Sequence, residues 1–199
     1  MPVNETGQIS SEELENSSDN NSWQHSGISF RDSFRNSIIN NDITVENSYG
    51  IYLCFGKNYA ADGGLSNHNI LANNTIRATS EMPTFWSGGI YITGSFNKIE
   101  NNTIIGLYRG VISEGNPNNT IVGNKIYYIT GYDALGGSGG DYAVVSSAGC
   151  LIANNTIYNT DVFGAAILVS EDCTVYGNDI QIVSNGSGIE IGGKGGSNS

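Results

Sequence analysis

The chain has 199 residues, a formal net charge of −11 and only 14% charged residues, with 27 Gly and 3 Pro. That length is one domain's worth, and the acidic balance argues against nucleic acid, whose phosphates call for a basic patch. No window is long and apolar enough to cross a bilayer as a helix, so no membrane insertion is expected; residues 1–26 show no basic and apolar regions of a signal peptide, so either a leader was removed or the protein reaches its location another way.

Residues 1–26 are polar and carry Glu5, Glu12, Glu13, Glu15 and Asp19, with no Lys or Arg before Arg31. They read as an acidic segment or cap. Ser10 followed by Glu13 is a capping-box pattern, so a short helix is expected to cover the first turn and its strand edge, with Trp23 helping to plug that end.

From residue 27 two motifs alternate. The first is Gly or Ala, aliphatic, any, usually aliphatic: Gly27–Phe30, Gly50–Leu53, Gly89–Ile92, Gly110–Ser113, Ala143–Ser146, Ala166–Val169 and Gly188–Ile191. The second is IINNDI from Ile38, LANNTI from Leu71, IENNTI from Ile99, IVGNKI from Ile121, IANNTI from Ile152 and VYGNDI from Val175. Its copies start 33, 28, 22, 31 and 23 residues apart. Periods of this size mean a solenoid, propeller or array.

Each period reads as three short strands. The Gly motif is a strand with alternate residues inward. The opening aliphatic of the Asn motif lies on a second strand, and its closing Ile starts a third. Between them Asn41, Asn74, Asn102, Asn124, Asn155 and Asn178 are expected to make sharp left-handed turns, since Asn tolerates that conformation, and their amides can bond from turn to turn. The expected fold is all-β: a single-stranded parallel β-helix of about six turns over 27–191, with a flexible Gly-rich tail at 192–199.

These motifs resemble the right-handed parallel β-helix superfamily, the pectate-lyase-like and NosD-like repeat proteins. The resemblance covers 27–191. It implies the fold strongly and function weakly, because lyases, hydrolases, epimerases, tailspikes and adhesins share it.

Three cysteines do not make a disulfide framework. Cys150 and Cys173 fall at equivalent positions in successive turns, in a column otherwise held by Asn36, Asn69, Asn97 and Asn119. That column reads as a stack of small buried side chains, with a cross-turn disulfide as the lesser alternative; Cys54 has no counterpart. His25 and His68 are isolated and no CxxC or HxxxH spacing exists, so no metal or other cofactor is expected. Sequons occur at Asn73, Asn101, Asn118 and Asn154, and at Asn4, Asn16, Asn20 and Asn185; those inside the repeats coincide with the Asn turns.

Function concentrates in loops on a rigid scaffold. The connections into the Gly motif are long at 79–88, short at 106–109 and long at 130–142, and a further insertion spans 54–66. This spacing predicts a saddle about 10 Å wide at ~4.8 Å per strand, suited to one polysaccharide chain. Its floor would be Tyr108 and Arg109. One wall would hold Glu81, Phe85 and Trp86, and the other Tyr132, Asp133 and Asp141. Flat aromatic faces beside carboxylates and a cation suit sugar rings and hydroxyls. The expected contacts are Phe85, Trp86, Tyr91, Tyr108, Arg109, Tyr132 and Asp133.

In related enzymes the outward residues of the Gly-motif strand carry the chemistry. Here that column is Ser29, Tyr52, Tyr91, Ile112, Val145, Leu168 and Glu190. It lacks both the base and cation set of a uronate lyase and the carboxylate pair of a hydrolase. The segments Asn159–Asp161, Glu171–Asp172 and Gly186–Gly188 only superficially resemble the polygalacturonase motifs: the spacings are short, Ser187 stands where a His belongs and no Arg-Ile-Lys follows. Weak catalytic candidates are Asp133, Asp141 and Arg109.

The reading is therefore an extracellular, cell-surface or virion-surface module that binds polysaccharide without catalysis. The alternatives are a polysaccharide lyase or glycoside hydrolase, and a structural solenoid of a spike, filament or surface layer. Ile112, Val145 and Leu168 are expected to form an exposed apolar patch, to be covered by the long loop 130–142 or by a neighbouring subunit. The uncapped C-terminal turn is expected to invite a homo-oligomer or end-to-end stacking.

Overall fold

The structure is a computed structural model, and it describes residues 26–31, 33–46, 48–54, 66–79, 87–113, 117–131, 142–162, 165–183 and 186–192. Among them every regular element is a strand. The Gly motifs form a first sheet of seven strands: Ile28–Arg31, Tyr49–Cys54, Gly88–Ile92, Arg109–Ser113, Val144–Ser146, Ala165–Val169 and Ser187–Ile191. A second sheet holds Ser37–Ile39, Ile70–Ala72, Lys98–Glu100, Thr120–Val122, Leu151–Ala153 and Thr174–Tyr176. A third holds Asp42–Val45, Thr75–Ala78, Thr103–Ile105, Lys125–Tyr127 and Thr156–Val162, the last of which pairs with both Thr130–Gly131 and Asp179–Ile182. Pairing is parallel and joins each strand to its counterpart one turn away, as Ile99 with Ile121 and Ile104 with Ile126. The expected parallel β-helix is the fold observed.

The core is the periodic apolar set. Leu71, Ile99, Ile121 and Ile152 come from the second sheet, Ile76, Ile104, Ile126 and Ile157 from the third, and Ile51, Ile90, Val111, Val144 and Ile167 from the first. All thirteen are sealed from water, and burying a side chain of this kind stabilises by roughly 1.5–3 kcal/mol.

Two internal ladders of asparagine join the turns. In the first, the backbone N–H and the side-chain Nδ2 of Asn74 both donate to Oδ1 of Asn102 at 2.9 Å. Asn102 addresses Asn124 in the same way, Asn124 addresses Asn155, and Asn155 addresses Asn178. The second Nδ2 proton goes backward to a carbonyl of the preceding turn, Leu71 O for Asn102. The second ladder runs Asn36, Asn69, Asn97, Asn119 with the same forward bonds. The column expected only to fill space is thus a second hydrogen-bonded spine, with Cys150 and Cys173 at its end.

The left-handed residue is not the ladder asparagine. It is the residue before it: Asn40, Asn73, Asn101, Gly123, Asn154 and Gly177, with φ between 53° and 67°. The other corner repeats this at Arg35, His68, Phe96, Asn118, Gly149 and Asp172. A left-handed residue turns the chain and throws its own side chain outward, which leaves the next residue facing in. This also corrects the reading of the repeat sequons. Their acceptors Asn73, Asn101, Asn118 and Asn154 are the exposed corner residues, not the buried ladder residues beside them.

Candidate functional site

The outward column of the first sheet is in register along its whole length: Ser29 pairs with Tyr52, Tyr52 with Tyr91, Tyr91 with Ile112, Ile112 with Val145, Val145 with Leu168 and Leu168 with Glu190. Alternation along Gly-Ile-Tyr-Ile sends the Ile residues into the core and the Tyr residues out. Tyr52 and Tyr91 are stacked, with ring centroids 5.0 Å apart and planes 17° apart. Tyr49 closes the group at 5.7 Å from Tyr52 and 5.2 Å from Tyr91.

Tyr49, Gly88 and Arg109 are successive members of a second column on the same sheet. Gly88 is required there, because a Cβ on it would strike the ring of Tyr49. Arg109 lies half-buried in the next turn, with its guanidinium carbon 5.7 Å from the centre of the Tyr108 ring. Ser87 fixes this pair: its Oγ accepts from the Tyr108 N–H at 3.2 Å and its carbonyl accepts from the Arg109 N–H at 3.2 Å. The structure thus brings three tyrosines and one arginine onto one face.

Of the expected contacts, Tyr91 is partly buried in the outward column and Arg109 partly buried at the start of the next strand of the same sheet. Tyr108 does not serve as an open floor. It is 3% exposed and lies beneath Arg109 as its support. Ile112 is likewise no part of an exposed patch, being 1% exposed while outside the core cluster; Val145 and Leu168 are half-buried. Tyr49 and Ser87 were missed. The only signal for Tyr49 is its place immediately before the Gly of a repeated motif.

Glu81, Phe85, Trp86, Tyr132, Asp133 and Asp141 lie outside the described residues, as do the capping box at Ser10–Glu13 and Trp23. Among the described residues no group of three His, Cys, Asp or Glu is placed to hold a metal ion. The ion pairs Arg77–Asp42 and Lys98–Glu100 sit on the third and second sheets, away from the tyrosines.

The chain matches the family described as right handed beta helix region over residues 4–126 and again over 67–199. No curated protein and no solved structure matches it significantly.

Proposed function

From its membership of the right-handed β-helix family, to which this chain belongs, we propose that the protein is a surface or extracellular module that binds a polysaccharide chain across the outer face of its first sheet, without catalysis. The single observation that carries this reading is the cluster of Tyr49, Tyr52 and Tyr91. Tyr52 and Tyr91, stacked and partly exposed over the buried Tyr49, give the flat apolar surface that sugar rings take. Arg109, held over Tyr108, supplies donors for hydroxyl or carboxylate oxygens. The long connections at 79–88 and 130–142 flank this face in sequence, and Phe85, Trp86, Tyr132 and Asp133 would complete the groove from them. The outward column offers no pair of carboxylates for hydrolysis, which favours binding over turnover.

The test is direct. Tyr91→Ala should weaken binding to the best ligand on a glycan array at least about tenfold, or ~1.4 kcal/mol, with an unchanged circular dichroism spectrum. Unchanged affinity would remove the site from this face.

A second reading is a structural solenoid that stacks end to end through the face that carries Ile189 and Ile191. Ile189 and Ile191 are 48% and 77% exposed, whereas Ile38 and Ile43 of the first turn are 4% and 7% exposed. Sedimentation velocity should then show concentration-dependent species larger than the monomer; a single monomeric species at high concentration removes this reading.

A further inference from the structure

We propose that Cys150 and Cys173 form a cross-turn disulfide that fastens the turn of Thr174–Tyr176 to the turn of Leu151–Ala153 before it. The two residues end the second asparagine column, each standing one residue before the paired Leu151 and Thr174. The Thr174 N–H donates to Cys150 O at 2.8 Å, the same bond that Leu151 makes to Asn119 O one column member earlier and Thr120 to Asn97 O two earlier. Partners in adjacent parallel strands lie ~4.8 Å apart, within the roughly 4.4–6.8 Å between Cα atoms that a disulfide spans. Side chains of this column already point at one another, since Asn97 Nδ2 reaches Asn119 Oδ1 at 3.2 Å.

Both thiols are free in the structure. Cys173 Sγ donates to Ser147 O at 3.0 Å and Cys150 Sγ to Ala148 O at 3.5 Å, so each is held in place without being used. Cys150 is buried and Cys173 half-buried. That asymmetry sets the order of events. The Cys173 thiolate attacks a low-molecular-weight disulfide such as oxidised glutathione, releasing one thiol and forming a mixed disulfide. The Cys150 thiolate then attacks the Cys173 sulfur and releases the second thiol. Two protein thiols lose two protons and two electrons, and the oxidant becomes two thiols. Burial pushes the Cys173 thiol above its usual range. The first step therefore accelerates as pH rises, because the thiolate is the nucleophile.

The bond would join two successive turns directly beneath the strand Ser187–Ile191, whose Ile189 and Ile191 are exposed.

The experiment uses the unmodified chain incubated with oxidised glutathione at pH 8.5, followed by alkylation, non-reducing digestion and mass mapping. The expected product is a cross-linked peptide pair containing Cys150 and Cys173, with a mass lower by two hydrogens. A persistent glutathione adduct on Cys173, a bridge to Cys54, or two thiols that remain alkylatable would each overturn the proposal. Hydrogen exchange separates a clamp from an inert bridge: the Thr174 and Asp179 amides should exchange at least about tenfold more slowly after oxidation, and unchanged rates would refute the fastening role.

Discussion

Replacing Asn102 by leucine is expected to destabilise the protein by about 3–5 kcal/mol, read as a lower urea midpoint. The side chain is fully buried and makes four hydrogen bonds: it accepts from the Asn74 N–H and Nδ2, and donates to Leu71 O and to Asn124 Oδ1. Leucine matches the volume but leaves the Asn74 N–H, one Asn74 amide proton and the Leu71 carbonyl buried with a bond lost, at about 1–3 kcal/mol each. Against a typical total of about 5–15 kcal/mol, that threatens the fold. Asn41, in the first turn, is the internal control. Its ladder bonds run one way, the two it donates to Asn74 Oδ1, so Asn41→Ala should cost only about 1 kcal/mol.

Asn102→Asp sharpens the test. A carboxylate can still accept from Asn74 but turns an acceptor toward Leu71 O and Asn124 Oδ1, where a donor is needed. Burial and these two oxygens hold its folded pKa above the unfolded value of about 3.9. Below that value the protonated acid can donate, and the variant should keep most of its stability. The stability should then fall as pH rises through the elevated folded pKa and stay low beyond it. A pH-independent loss would mean that space, not hydrogen bonding, governs the position.

Gly110→Ala is expected to cost about 2–3 kcal/mol, and Gly110→Val more. A Cβ on Gly110 would run into the carbonyl of Ala143, the same oxygen that accepts the Val111 N–H at 2.8 Å, and would come within 3.0 Å of Ile126 Cγ2. Backbone on one side and a core Ile on the other leave no flexible group to yield, so the two turns must separate and the ladder bond is lost. Gly188 holds the same column in the last turn, where a Cβ would meet nothing within 4 Å, and Gly188→Ala should change stability by less than about 0.5 kcal/mol. Equal effects at the two positions would show that flexibility, not contact, selects glycine here. Gly27, Gly50 and Gly89 would meet the next turn's carbonyl and a core Ile in the same way, and the column turns to Ala143 and Ala166 in later turns, so the constraint holds over the first four turns and not over the whole repeat.

The register of every turn could be read from the two motifs because core positions repeat chemically: an Ile or Val that must point inward leaves little freedom to its neighbours. The corner was misread by one residue because most copies carry Asn at both places. The two copies with Gly123 and Gly177 held the answer. Gly stands in the left-handed position and Asn in the ladder, so the residue that varies marks the turn and the one that does not marks the bond. The second ladder was harder to see, since Asn36, Asn69, Asn97 and Asn119 stand outside the repeated hexapeptide. The tyrosine face was half legible. Tyr52 and Tyr91 follow from alternation, whereas the burial of Tyr108 and Ile112 depends on groups that no local pattern encodes.

The ladder bonds have one further consequence, for how the molecule comes to exist. The forward amide bonds connect residues 33, 28, 22, 31 and 23 apart in sequence. None reaches past the adjacent turn. Each turn finds its partners in the segment just synthesised or just about to be, so the chain can assemble as a one-dimensional zipper from a single nucleus. Each loop to be closed is short, and its entropic cost hardly depends on how much helix already stands. The slow event is then the first pair of turns, and later ones add at nearly constant cost.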